Sequence, residues 1–131
     1  MYGLPDQSLL DALNDLKTAL SFDPPHLSWY HLTIEPNTIF HHKPPTLPPE
    51  EQIIDIESAG RALLAQHNLI QYEISAFAKL DAACQHNLNY WQFGDYLGIG
   101  AGAHGKITDL SNKTITRYWK TRYPKNYLHL F

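Results

Sequence analysis

The chain has 131 residues, 44% hydrophobic and 18% charged, a composition that fits a folded domain and excludes general disorder. Ten Lys and Arg against thirteen Asp and Glu give a net charge of -3, and no basic run stands out, so duplex nucleic acid is not an expected partner. The single cysteine, Cys84, excludes an internal disulfide and, by itself, an iron–sulfur cluster or a Cys-rich zinc site.

Met1-Tyr2-Gly3-Leu4-Pro5 reads as the end of a strand running into a Gly/Pro turn. Asp6-Gln7-Ser8 then offers a helix start. Leu9, Leu10, Leu13, Leu16, Ala19 and Leu20 recur at helical spacing until Asp23-Pro24-Pro25 stops them. His26 to Ile34 is strand-like and is closed by Glu35-Pro36-Asn37-Thr38. Phe40 to Pro49 is a proline-rich loop carrying His41-His42. Pro48-Pro49-Glu50-Glu51 suits a second helix start, and Ile53, Ile54, Ile56, Ala59, Leu63 and Leu64 predict that helix as far as His67-Asn68.

Leu69 to Ser75 reads as a short strand, followed by a connection of about 20 residues that carries Cys84 to Trp91. Asp95 to Ile99 is a strand candidate entering a glycine run. Lys106-Ile107-Thr108 and Thr114 to Tyr118, joined by Asp109 to Lys113, predict an antiparallel hairpin. Pro124 to Phe131 reads as the start of a helix. There is no internal repeat and no low-complexity tract.

Alternating strand and helix units predict a parallel sheet with covering helices, an α/β fold. Three or four such units make about half of a (β/α)₈ barrel, which takes roughly 200–250 residues. The expectation is a partial (β/α) TIM-like barrel fragment, cut at both ends, with a C-terminal antiparallel hairpin. A cut sheet leaves open edges, so homo-oligomers formed through them are an expectation. Short apolar runs and an N-terminus without a basic region before an apolar core predict neither a membrane span nor a signal peptide. With the lone thiol, this points to the cytoplasm.

The densest chemistry lies in residues 84 to 105, which place one thiol, two imidazoles, several aromatic rings and five glycines in 22 positions. Glycine lets backbone approach a ligand, aromatic rings offer flat apolar surface, and imidazole offers a metal ligand or proton carrier. That combination suits a flat, partly apolar ligand.

Five motifs then fall in one order: Tyr2 to Pro5, Leu32 to Thr38, Gln71 to Ser75, Cys84 to Trp91 and Gly94 to Gly105. Together they resemble the oxygen-independent coproporphyrinogen III oxidase-like family of radical S-adenosylmethionine (SAM) proteins. The His86-Asn87-x-x-Tyr90-Trp91 motif resembles the heme-chaperone branch. The resemblance implies that residues 1–131 are a single fragment, the second half of a radical SAM partial barrel plus the start of the C-terminal region. It implies SAM, a [4Fe–4S] cluster and heme as cofactors, heme or a porphyrinogen as ligand, and heme-acceptor proteins as partners. The family's Cys-x₃-Cys-x₂-Cys cluster loop is absent from the sequence. So is the aspartate that precedes the Tyr-Gly-Leu-Pro turn, where Met1 stands.

Under this resemblance His86 is an axial heme ligand, Tyr90 and Trp91 are apolar walls, and Asn87 or a backbone carbonyl holds the second imidazole nitrogen. Without it, His86 reads as a turn histidine bonded to backbone. Cys84 reads as an inert thiol, since Cys-x-His supplies too few metal ligands. Gly100-x-Gly102-x-x-Gly105 imitates a dinucleotide fingerprint, but β-prone residues follow it and Lys120 stands where an acid is required. The glycines are read instead as a close approach to ligand or backbone, with His104 either facing the pocket or shaping a turn. Tyr30, His31 and Glu35 lie at a strand end that faces the site in a barrel, where a carboxylate meets ribose hydroxyls or a cation; Glu73 reads as an exposed loop-end acid. His41-His42 reads as a solvated loop. No catalytic residue is assigned, and enzymatic activity is left open because the cluster cysteines are missing. The alternatives to a heme chaperone are a coproporphyrinogen oxidase and an inactive fragment.

Overall fold

The computed structural model describes residues 1–129, so the last two residues of the expected C-terminal helix lie outside it. The chain divides into two compact units, Met1–Cys84 and a second beginning at Gln85.

The first unit is built on two helices. α1, Leu9–Leu20, opens on Ser8, whose hydroxyl accepts from the Asp11 N–H while the Asp11 carboxylate accepts from Ser8, a reciprocal capping box. α3, Glu50–Gln66, opens behind Pro49 with Glu50 and Glu51 in its first turn, where the helix dipole favours acid. Their buried residues stand four apart, Ala12, Leu16 and Leu20 on α1 and Ile56, Gly60 and Leu64 on α3, so each helix presents one narrow stripe. The two stripes pack against each other and against Tyr2, Trp29, Leu69 and Phe77. Burying a side chain such as Ile56 or Leu64 contributes about 1.5–3 kcal/mol.

Gly60 is where the core is tightest. A β-carbon there would stand 2.8 Å from Cζ2 of Trp29 and closer still to Cη2. Trp29 in turn packs on Tyr2, with ring centroids 4.2 Å apart. Burial, aided by the Glu57 carboxylate, pushes the Tyr2 hydroxyl above its ordinary value.

β1, His26–Ser28, begins after Pro24-Pro25. The short helix α2, Ile39–His42, is capped by the Thr38 hydroxyl inside the segment expected to be loop. β2, Ile70–Gln71, and β3, Ala76–Ala78, complete a sheet of order β1-β3-β2, with Leu27 opposite Phe77 and Ile70 opposite Ala78. All its pairings are antiparallel, where a parallel sheet was expected. The cause is a reversal at Glu73-Ile74-Ser75 that contains neither Gly nor Pro. It is held by Tyr72 N–H on the Ala76 carbonyl, by Gln71 on the Ile74 carbonyl and by Ser75 N–H on the Glu73 carboxylate. Of the expected strand Leu69–Ser75 only Ile70–Gln71 is extended, as β2, and its second half is the turn that leads into β3. Parallel pairing survives among the described residues as one bridge, Tyr2 to His31.

The second unit starts with α4, Gln85–Trp91, in a stretch read from the sequence only as a connection. The hairpin of β4, His104–Asp109, and β5, Thr114–Trp119, follows, and then α5, Pro124–Leu128. The hairpin matches expectation and runs two residues longer on β4's N-terminal side. Of the expected strand Asp95–Ile99, only Tyr96 pairs, with Lys106. No described helix is long and apolar enough to cross a membrane.

Candidate functional site

α4 places His86 and Tyr90 four residues apart on one face, as helical spacing requires. Their rings meet edge-on with centroids 4.8 Å apart, and Tyr90 meets Tyr96 at 4.7 Å. The result is a ladder of three rings. Tyr90 is 46% exposed and Trp91 57%, so both leave large flat surface open. No hydrogen bond engages either ring nitrogen of His86 among the described residues.

The exit of α4 is fixed by backbone and by one buried cation. Phe93 takes φ 60, and Gly94 N–H returns to the Asn89 carbonyl at 2.7 Å. Asn89 also donates to the Asp95 carbonyl at 3.1 Å. Lys106, on β4, then donates to Phe93 O and to Asp95 Oδ1, both at 2.8 Å, and to Thr108 Oγ1 at 3.1 Å. Its ammonium also lies 4.1 Å from the centre of the Phe93 ring. Asp95 receives two further bonds, from the Thr108 hydroxyl at 2.7 Å and the Thr108 N–H at 2.8 Å. The Lys106 bond first, then the Thr108 hydroxyl, hold the Asp95 carboxyl down at about 2.

The glycine run lies at the open end of the hairpin. Gly100 and Gly102 take φ 101 and 74, and Ala103 N–H closes a turn on the Gly100 carbonyl, so the motif is a turn before a strand and no dinucleotide helix follows. Gly105 is crowded instead, since a β-carbon there would run into the Tyr118 ring, whose hydroxyl accepts from Gly98 N–H at 3.1 Å. His104 is exposed and pairs with Trp119 across the hairpin.

Tyr30, His31 and Glu35 belong to the first unit. Tyr2 N–H donates to the Tyr30 carbonyl at 2.8 Å, and His31 stacks on Tyr2 with centroids 5.3 Å apart. The Glu35 carboxylate accepts from the Thr33 hydroxyl at 3.2 Å beside a shallow cleft of about 310 Å³ that Thr38, Ile39 and Phe40 also line. His41 and His42 meet edge to edge on α2. Cys84 is half-buried, its N–H on the Tyr72 hydroxyl at 3.2 Å. No group of three or more His, Cys, Asp or Glu able to hold a metal occurs among the described residues. The structure thus gathers His86, Asn87, Tyr90 and Trp91 on one helix, Gly100, Gly102 and His104 at one hairpin end, and Tyr30, His31 and Glu35 in the other unit.

Sequence reasoning missed the charge partition. The second unit carries Lys106, Lys113, Arg117, Lys120, Arg122 and Lys125 against Asp95 and Asp109, a net +4, which leaves residues 1–84 at -7. Counting charge over the whole chain averaged the two. It also missed Lys106 and Asp95, whose partnership depends on a turn of the chain that no local pattern announces.

No family model matches the chain. It is 56% identical over 128 residues to the heme chaperone HemW of Escherichia coli (strain K12), covering 98% of this chain and 34% of that protein. The HemW of Haemophilus influenzae is 55% identical over 128 residues, and that of Bacillus subtilis 42% identical over 111. A mouse protein named radical S-adenosyl methionine domain-containing protein 1, mitochondrial, is 40% identical over 111 residues. The chain spans about a third of the length of the HemW proteins of Escherichia coli and Haemophilus influenzae. Among solved structures, coproporphyrinogen III oxidase (HemN) from Escherichia coli, described as a radical SAM enzyme, matches with a TM-score of 0.75 at 21% identity, over 98% of this chain and 32% of that one. That likeness shows a shared mixed α/β fold. These bacterial homologues are heme chaperones, the branch that the His86-Asn87-x-x-Tyr90-Trp91 motif led one to expect.

Proposed function

We propose that this chain is the second half of a radical SAM partial (β/α) barrel, with the beginning of its C-terminal region, from a cytoplasmic protein that holds heme and hands it to acceptor proteins. The observation that carries the reading is α4, where an exposed imidazole with no hydrogen bond to its nitrogens among the described residues stands beside two exposed aromatic rings. That donor set fits heme: His86 would hold the iron through imidazole nitrogen, and Tyr90 and Trp91 would offer flat apolar surface to the macrocycle. Asn87 shares the helix and belongs to the same proposed site.

The residues do not fit a [4Fe–4S] cluster. Cys84 is the one thiol, and no group of three or more His, Cys, Asp or Glu able to hold a metal occurs among the described residues. The residues of this chain therefore supply no ligand set for cluster chemistry. Tyr30, His31 and Glu35, and separately Gly100, Gly102 and His104, are proposed to line the cofactor side of the longer protein. The barrel reading rests on the HemN-like fold and on the Tyr2–His31 parallel bridge.

Hemin titration of the full-length protein, with His86→Ala beside it, tests the reading. A Soret shift that the variant loses is expected, and an unchanged shift removes His86 as the ligand. Porphyrinogen decarboxylation in an anaerobic assay with SAM would favour the oxidase instead, a reading the HemN fold keeps in view. Neither heme binding nor decarboxylation would leave an inactive fragment.

A further inference from the structure

The hairpin opens into a cleft of about 490 Å³ at its free end, lined by Gly102, His104, Trp119, Lys120, Arg122 and Tyr123. The ladder continues past β4 and β5, with Lys120 N–H on the Ala103 carbonyl and Gly102 N–H on the Thr121 carbonyl, both at 2.8 Å. These bonds fix the backbone under the cleft. At Gly102 a β-carbon would stand 3.8 Å from Cα and Cγ of Arg122, ordinary van der Waals contact, so the glycine lies directly against Arg122 at the cleft.

The cleft's charge is one-sided. Both acids of this unit are consumed elsewhere, Asp95 by Lys106 and Thr108, and Asp109 by Ser111 and Asn112 in the hairpin turn. Lys120 and Arg122 form no salt bridge among the described residues. Lys120 leans on the Tyr118 ring, its ammonium 5.3 Å from the centroid. Beside the cations stand Trp119, 74% exposed, and Tyr123, 72% exposed. A guanidinium and an ammonium select carboxylate or phosphate, and open indole and phenol rings select a flat apolar body.

We propose that this cleft binds the carboxylate edge of a planar aromatic ligand, with Lys120 and Arg122 on the carboxylates and Trp119 and Tyr123 against the ring. The ligand's identity as a tetrapyrrole rests on the function proposed above; the cleft's preference for a flat dicarboxylate rests on its own residues.

Three probes separate the two ideas: hemin, hemin dimethyl ester, which lacks the charges, and metal-free protoporphyrin, which lacks the iron. Lys120→Gln with Arg122→Gln is expected to weaken hemin and protoporphyrin about tenfold or more and to leave the ester within about twofold, since charge-assisted bonds are the strong ones. His86→Ala is expected to affect hemin and leave protoporphyrin unchanged. Lys113→Gln with Lys125→Gln, the same change in net charge outside the cleft, is expected to change nothing. Equal losses for ester and acid, no loss in the cleft variant, or no binding of either carboxylate porphyrin by the wild-type chain would each overturn the proposal. A cleft effect with a silent His86→Ala would overturn the iron ligand alone.

Discussion

The ammonium of Lys106 lies 2.8 Å from Asp95 Oδ1, and the lysine is only 2% exposed. A cation so deeply placed is stable because its donors are all used, on Phe93, Asp95 and Thr108. The same contacts pin the chain where it leaves α4, so the helix that carries His86 is oriented by a residue 20 positions away.

Asp95→Asn leaves Lys106 buried without a counter-charge. It should lower the thermal midpoint of the second unit more than Lys106→Met, which leaves a carboxylate that still accepts from Thr108. Equal midpoints for the two variants would refute the asymmetry.

Acid should act on the same unit. Asp95 is held at about 2 by Lys106 and then Thr108, and Asp109 at about 2 by the Ser111 hydroxyl and then Asn112, against an ordinary value of 3.8. Because folding lowers both, their contribution to stability is present above pH about 4 and is lost as pH falls from there toward 2. Following the hairpin's signal by circular dichroism over that window should show a loss that Asp95→Asn flattens; a wild-type signal indifferent to pH there would contradict it.

Gly60→Ala should destabilise the first unit by about 1–3 kcal/mol through overpacking, although Ala is favoured over Gly by about 1 kcal/mol in an open helix. The new methyl has nowhere to go but into Trp29. Urea unfolding followed at the helical signal measures it, and a stabilised variant would show that Trp29 swings aside freely.

Ser8→Ala removes the oxygen that caps α1 and should cost about 1 kcal/mol. Ser8→Asp should restore most of this, since a carboxylate accepts the same N–H; failure of the Asp variant to rescue would point away from capping.

Tyr118→Phe deletes the acceptor of Gly98 N–H and should cost about 0.5–1.5 kcal/mol. Faster amide exchange at Gly98 is the local readout, and unchanged protection there would show that the bond contributes nothing.

The elements legible in the sequence are those with long, one-sided apolar patterns and clear ends. α1 and α3 have four-residue stripes between Ser8 or Pro49 and a stop, and β4 with β5 has β-prone runs around Asp109 to Lys113. α2 and α4 escaped because they bury no residue at all, so no stripe marks them. The hairpin of β2 and β3 escaped because Glu73-Ile74-Ser75 turns on side-chain hydrogen bonds in place of Gly or Pro. At the site, the motif names His86 and Tyr90 directly. Lys106, Lys120 and Arg122 gain their meaning only when strand pairing brings them beside Phe93, Gly102 and Trp119.

The partition of charge at Cys84 also means that the chain's pI of about 6.2 describes neither part of it. At neutral pH a cut between Cys84 and Gln85 would yield an acidic piece retained by an anion exchanger and a basic piece retained by a cation exchanger. The intact chain, by contrast, travels as a mildly acidic protein, so its bulk electrophoretic behaviour conceals the cationic surface of its C-terminal third.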